Sequence, residues 1–324
     1  MDTRQLGTTD LHITPIGFGA WAIGGPDYAF GWGPQDDADS IAAIERAVGA
    51  GINWIDTAPV YGLGRSERVV ARALKALGPA RRPYVFTKCS LVWDGQGAIS
   101  HSLKAASVRR EVEDSLRRLE TDVIDLYQIH WSKPWGMSEP APDIEEGWRT
   151  LVDLQREGKV RYIAVSNFDV EEMERLRPLA PITSLQPPYS MLRRGIEQEI
   201  LPYCLAHRIG VIVYSPMAAG ILSGAMTRER AASLPANDWR SKNPDYQEPK
   251  LSRNLALVEE LRAIGDRHGV MPGAVAVAWT LRHPAVTGAI VGFRNPAQVD
   301  GLLASATLRL GSEEIARIET LTAA

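Results

Sequence analysis

The sequence predicts a (β/α)8 barrel of the TIM type, and three observations carry that prediction. Short runs rich in Val, Ile and Tyr alternate with helical patterns eight times along the chain. Several of those runs are almost continuously apolar, as parallel strands covered on both faces must be. No break in composition divides the 324 residues, so they read as one domain, 1–324, rather than two.

The elements follow in order. "RQLGTTDLHITPI" reads as an N-terminal β-hairpin around a Gly-Thr-Thr-Asp turn, placed to plug the bottom of the barrel. The first strand is "IGFGA" (16–20), followed by a helix whose apolar stripe is Ile41, Ile44 and Val48, with Gly51 as its stop. "NWIDTA" (53–58) and "YVFTKC" (84–89) are strands two and three, and Val108, Val112, Leu116 and Leu119 mark the next helical stripe. "VIDLYQIH" (123–130) is strand four; Ile144, Trp148 and Leu151 then define a helix ended by Gly158. Strands five to eight are "VRYIAVSN" (160–167), "ITSLQPP" (182–188), "GVIVYSP" (210–216) and "AVTGAIVGF" (285–293). The last two begin 75 residues apart, which predicts an insertion between strands seven and eight with 231–249 as its polar loop.

"GFGAWA" (17–22) matches a glycine-rich dinucleotide fingerprint, and Asp37 lies 20 residues past Gly17. That fingerprint works only if a helix starts at once and offers its N-terminus to a pyrophosphate. The continuation "IGGPDYAFGWGP" cannot be a helix, so the Rossmann reading is set aside.

Charge excludes other classes. Lys and Arg number 36 against 39 Asp and Glu, a net charge of −3 without long runs of one sign, so no nucleic-acid footprint is present. Cys89 and Cys204 are too few and too far apart for a disulfide framework or a cysteine-based zinc site. The remaining histidines (12, 101, 207, 268 and 283) lack metal-ligand spacing. With no signal-peptide core and no apolar run of ~18 residues, the expectation is a cytoplasmic protein that acts on small molecules and not on a membrane.

In a barrel, strand C-termini face the active site. Strand two ends at Asp56, strand three at Lys88 and strand four at His130, and Tyr61 follows in the loop after strand two. Taken singly, these are a loop acid, a snorkelling lysine, a satisfied histidine and a surface aromatic. At one end of three consecutive strands they make a site. A carboxylate beside Lys88 removes the cost of burying either charge alone. An ammonium near Tyr61 favours the phenolate, which lowers a pKa that starts near ~10. Tyr61 would pass a proton to an oxygen that turns negative, and His130 would hold that oxygen by a hydrogen bond. Carbonyl reduction fits, and the hydride must come from a nicotinamide cofactor. Trp21, Trp93 and Trp131 follow strands one, three and four, where they would either wall a substrate pocket or simply pack.

The motifs "DTAPVYGLGRSE" (56–67), "TK" (87–88), "DLYQIH" (125–130), "GKVRYIAVSNF" (158–168), "YSPMAAGILSG" (214–224) and "GFRNPAQ" (292–298) resemble those of the aldo-keto reductases. The resemblance implies a catalytic tetrad at Asp56, Tyr61, Lys88 and His130, with Tyr61 as general acid. It also implies NADP(H), extended across the barrel mouth without a Rossmann fold. Ser166, Asn167 and Gln186 would hold the carboxamide, and Tyr214 would stack on the nicotinamide. Ser215, Pro216, Gly220 and Leu222 would clasp the pyrophosphate; Gly292, Arg294 and Gln298 would surround the 2′-phosphate. The chain departs from the family at Leu302, where many members have an adenine-contacting asparagine. The substrate would be a small carbonyl compound or alcohol. The alternative is a cofactor-sensing regulatory subunit of the same fold with little turnover.

Overall fold

The computed structural model describes residues 1–134, 141 and 143–322. Eight parallel strands close into a barrel: β1 (Ile16–Gly19), β2 (Trp54–Asp56), β3 (Tyr84–Cys89), β4 (Ile124–Ile129), β5 (Val160–Ser166), β6 (Ser184–Gln186), β7 (Gly210–Val213) and β8 (Val286–Gly292), which returns to β1. Val291 stands opposite Phe18 and Phe18 opposite Ile55, and the register shifts by one residue between β7 and β8, where Val211 faces Val286 but Ile212 faces Gly288.

The helices form the outer layer because each turns one apolar stripe inward. After β1 comes α1 (Asp37–Gly49), whose first N–H groups are capped by the Asp36 carboxylate, at 2.6 Å from the Ala38 nitrogen. After β2, β3 and β4 come α2 (Arg65–Leu77), α3 (Ala105–Leu119) and α4 (Ile144–Arg156). The expected stripe residues Ile44, Val108, Val112, Leu119, Ile144, Trp148 and Leu151 are all buried, while Ile41, Val48 and Leu116 pack at its margin. After β5, α5 (Val170–Leu176) begins with a reciprocal cap between Asp169 and Glu172.

A second core fills the barrel. Trp54, Phe86, Leu126, Ala164, Ile212 and Ile290 pack there, and Leu6, Leu11 and Ile13 of the N-terminal hairpin (Arg4–Gln5 with His12–Ile13) close its lower end. The hairpin turns at Gly7, whose φ of +58° and approach to the Thr183 carbonyl leave no room for a Cβ. The glycines of "GFG" also have a packing reason. A Cβ on Gly17 would lie 2.2 Å from the Trp54 ring. Past β1 the chain makes a short 3-10 turn (Ala22–Gly24) and forms no α-helix until Asp37, so no helix N-terminus meets those glycines.

Two regions differ from expectation. The stretch after β3 folds into a small antiparallel hairpin, Leu91–Trp93 with Ile99–His101. In the insertion after β7, the stretch expected as a polar loop, 231–249, carries the end of a short helix (Arg228–Ala232) and two 3-10 turns (Trp239–Lys242 and Pro244–Tyr246), and helices at Lys250–His268 and Pro272–Leu281 follow it. Asp238 and Arg240 form a buried ion pair, and Tyr246 Oη donates to the Ala219 carbonyl at 2.7 Å. The Trp239 N–H donates to the Gly31 carbonyl, joining the insertion to the loop after β1. The loop after β4, which begins with Trp131, lies partly outside the described residues. No helix among the described residues is long and apolar enough to cross a membrane.

Candidate active site

Asp56 ends β2 and pairs in register with Gly19 and Phe86, which fixes its side chain at the top of the barrel. Lys88, fully buried on β3, places Nζ 2.6 Å from Asp56 Oδ1, 2.8 Å from the Thr57 carbonyl and 3.5 Å from Tyr61 Oη. Asp56 Oδ2 accepts from Gln186 Nε2 at 2.8 Å and Gln128 Nε2 at 3.2 Å. Both carboxylate oxygens are therefore satisfied, the condition under which a buried pair is tolerated. Burial presses the Lys88 ammonium below its ordinary value, and Asp56 opposes that shift.

Tyr61 reaches the pair because its loop is tight. Gly62 and Gly64 have φ of +64° and +92°, and Gly62 comes so close to the Gly24 carbonyl that a Cβ would lie 2.0 Å from its oxygen. The expectation that Lys88 would lower the Tyr61 pKa is corrected. Burial first, then the Asp56 charge and the hydroxyls of Tyr28 and Tyr214, hold the phenol well above the usual tyrosine range. The ammonium is near, but Asp56 bonds it more closely. His130 stands edge-on to Tyr61, ring centres 5.8 Å apart. Burial and then Lys88 hold its imidazole well below the ordinary value, so it is a neutral hydrogen-bonding group.

The remaining predicted residues divide into two sets. Asn167, Gln186, Tyr214, Ser215, Pro216, Gly220, Gly292, Arg294 and Gln298 line the same cavity as Tyr61 and His130, which measures about 840 Å³. Asn167 has φ of +60°; its Nδ2 donates to the His130 carbonyl and its Oδ1 accepts from Tyr214 Oη at 2.8 Å. Ser166 and Leu222 are fully buried behind the wall, where Ser166 Oγ donates to the Gln186 carbonyl. The Gln186 amide is turned to Asp56 and Gln128. Ser215, Ala218, Ala219 and Gly220 all have positive φ, which coils the loop after β7 tightly at the rim.

Arg294 donates from Nε to Gln35 Oε1 at 2.6 Å and from a second nitrogen to the Pro34 carbonyl. Gln298 Oε1 accepts from its backbone N–H, and Leu302 lines the same end of the cavity. The sequence offered no second cation here; the fold brings two. Burial, then Arg240 and Arg230, push the Arg294 guanidinium down, with Asp238 opposing. Both arginines come from the insertion, and Arg240 Nη1 lies 3.7 Å from where a Gly220 Cβ would stand.

Trp21 and Trp131 line the cavity, joined by Trp32 and Trp239, which sequence reasoning missed. Trp21 stacks on Trp239 at 5.4 Å and meets Trp32 edge-on at 5.2 Å. A tryptophan inside the polar "ANDWRSK" was the one signal available. Trp93 does not line this cavity; it lies on the small hairpin with the Arg118 guanidinium 5.8 Å over its ring, and Leu91 of the same strand lines the wall instead.

One cavity thus joins a buried acid–lysine pair, a protonated phenol and a neutral imidazole at one end to three guanidinium groups at the other. The first group can move a proton to or from an oxygen, and the second can hold phosphates. The model of the Aldo/keto reductase family matches residues 15–323. The chain is 36% identical over 322 residues to aldo-keto reductase YhdN of Bacillus subtilis, covering 99% of this chain and 93% of that protein. It is 33% identical to the NADH-specific methylglyoxal reductase of Escherichia coli, over 97% of this chain and 96% of the relative. The solved structure of the glycerol dehydrogenase AKR11B4 from Gluconobacter oxydans superposes with a TM-score of 0.87 at 38% identity, covering 99% of this chain and 95% of that one.

Proposed function

The chain belongs to the aldo/keto reductase family, oxidoreductases that use nicotinamide cofactors, and from that premise we propose that it interconverts a small aldehyde, ketone or aldose with its alcohol, using NADP(H) and Tyr61 as the acid–base group. The observation that carries this reading is Lys88 Nζ, buried behind the cavity wall, standing between Asp56 Oδ1 and Tyr61 Oη, which line that cavity with His130.

Tyr61 keeps its proton because burial and Asp56 disfavour the phenolate. In reduction it gives that proton to the carbonyl oxygen, and in oxidation it takes the alcohol proton back. The adjacent ammonium lowers the energy of the phenolate as it forms, and Asp56 holds that ammonium in place. His130, neutral, donates to the substrate oxygen and orients it without competing for the proton. The bound cofactor supplies the hydride. Asn167 and Tyr214 would hold its nicotinamide half, with Ser166 supporting Gln186 from behind, and the loop from Ser215 to Gly220 would clasp the pyrophosphate. Arg240 at Gly220 suits the pyrophosphate, and Arg294 with Arg230 suits the 2′-phosphate.

Preference for NADP(H) rests on those arginines, and the NADH-specific relative shows why it needs a test. The aromatic wall of Trp21, Trp32, Trp131 and Trp239 favours carbonyl compounds with an apolar or planar flank. The two buried, unpaired cysteines suit the cytoplasm, where we place the protein. The deciding assay mixes purified protein with NADPH or NADH and a panel of aldehydes, ketones, sugars and alcohols. Turnover above trace with NADPH and a small carbonyl is expected; cofactor binding without turnover on any member would favour the sensing subunit.

A further inference from the structure

A second crevice, of about 460 Å³, opens at the bottom of the barrel, the end away from Tyr61. Every titratable side chain that lines it is basic: Arg4 from the N-terminal hairpin, Arg282 and His283 just before β8, and Arg309 from the C-terminal segment. Arg282 is already neutralised, with Nη2 3.0 Å from Glu319 and Nη1 donating to Tyr189 Oη. Arg4 and Arg309 are not. Arg4 uses Nη1 on the Val286 and Thr287 carbonyls, Arg309 uses Nη1 on the Leu308 carbonyl, and among the described residues neither has a carboxylate partner. Burial and then the Arg309 charge press the Arg4 guanidinium below its ordinary value, so the two cations feel each other. His283 accepts the Ala285 N–H on Nδ1, which leaves Nε2–H as a donor in the neutral ring.

Like charges held together without a counter-charge destabilise each other until an anion joins them. We propose that this crevice is a second binding site, taking a phosphate group through the Arg4 and Arg309 forks. Guanidinium forks match phosphate oxygens in pairs. The crevice exceeds the size of one oxyanion and has an apolar side built from Leu281, Leu308 and Leu310. It therefore accommodates the free ion or a small organic phosphate whose body lies on those leucines. The ligand would bridge the hairpin, the start of β8 and the C-terminal segment, so it acts on stability and not on turnover.

The test uses the holoenzyme saturated with nicotinamide cofactor, which keeps added phosphate out of the nucleotide site. Inorganic phosphate and phenyl phosphate are titrated at constant ionic strength while Tm and kcat/KM are followed. A saturable rise in Tm with kcat/KM unchanged is expected. Tighter binding of phenyl phosphate assigns an organic phosphate, and equal binding assigns the free ion. Arg309→Glu, a change at an exposed side chain, should weaken the response at least about tenfold, as loss of one charge-assisted contact implies, while Arg309→Lys, which keeps the charge and loses the fork, weakens it less. An undiminished response in Arg309→Glu, or a Tm that follows ionic strength alone, overturns the site.

Discussion

Lys88 Nζ lies 2.6 Å from Asp56 Oδ1, and neither side chain is open to solvent. Two opposite charges are thereby held beside Tyr61 at one end of the cavity, and neither is tolerable without the other. Removing one partner of such a pair costs about 3–5 kcal/mol, because the survivor is left buried and uncompensated. Lys88→Met is therefore expected to lower stability by that order, and Asp56→Asn/Lys88→Met by less than the sum of the single changes. Chemical denaturation of the four proteins measures the coupling; strict additivity would mean the pair is not coupled.

Tyr61→Phe deletes the hydroxyl proposed as the proton donor and keeps the ring that packs beside Trp21 at 6.1 Å. Loss of a positioned acid lowers a rate by ~10²–10⁴. The variant is expected to lose kcat on that scale while binding cofactor nearly as the parent does, by tryptophan fluorescence. Retention of more than about half of kcat would assign the acid role elsewhere.

Arg294→Ala is expected to weaken NADPH binding by about ten- to a hundredfold and leave NADH nearly unchanged, since one charge-assisted hydrogen bond is worth ~1.5–3 kcal/mol. With Arg230 and Arg240 close by, the loss should fall at the lower end of that range. Titration of both cofactors against both proteins checks it. Equal weakening would assign Arg294 to holding Gln35 and Pro34 in place.

Glu111, buried behind Ser90, is raised from 4.5 to about 8, with burial as the main cause and the Ser90 N–H opposing. An acid whose folded pKa is raised adds stability below its unfolded value, and that stability is lost as pH climbs to the folded value. Wild-type Tm should fall between pH 4.5 and about 8 through this group. Glu111→Gln, which stays neutral, should fall less, so the gap in its favour widens with pH. Parallel Tm profiles for the two proteins would remove Glu111 from the account.

Neighbours along the chain were enough for much of this protein. Apolar runs, helical stripes and glycine stops mark the eight strands and the helices, because burial on one face imposes a period that short stretches display by themselves. Strand ends carry Asp56, Lys88 and His130, and a parallel barrel turns all such ends to one mouth, so the clustering of these side chains could be read before any contact was known. What depends on distance in space was decided only by folding. Arg230 and Arg240 join Arg294, and Trp239 meets Trp21, across separations of more than 50 residues. The Tyr61 hydroxyl titrates high because burial and Asp56 outweigh a lysine 3.5 Å away. Trp93 follows β3 as expected, yet a hairpin carries it away from the cavity. Periodicity records which face of an element is buried; it does not record which distant side chain arrives there, and that is the quantity that sets charge, pKa and the shape of the pocket.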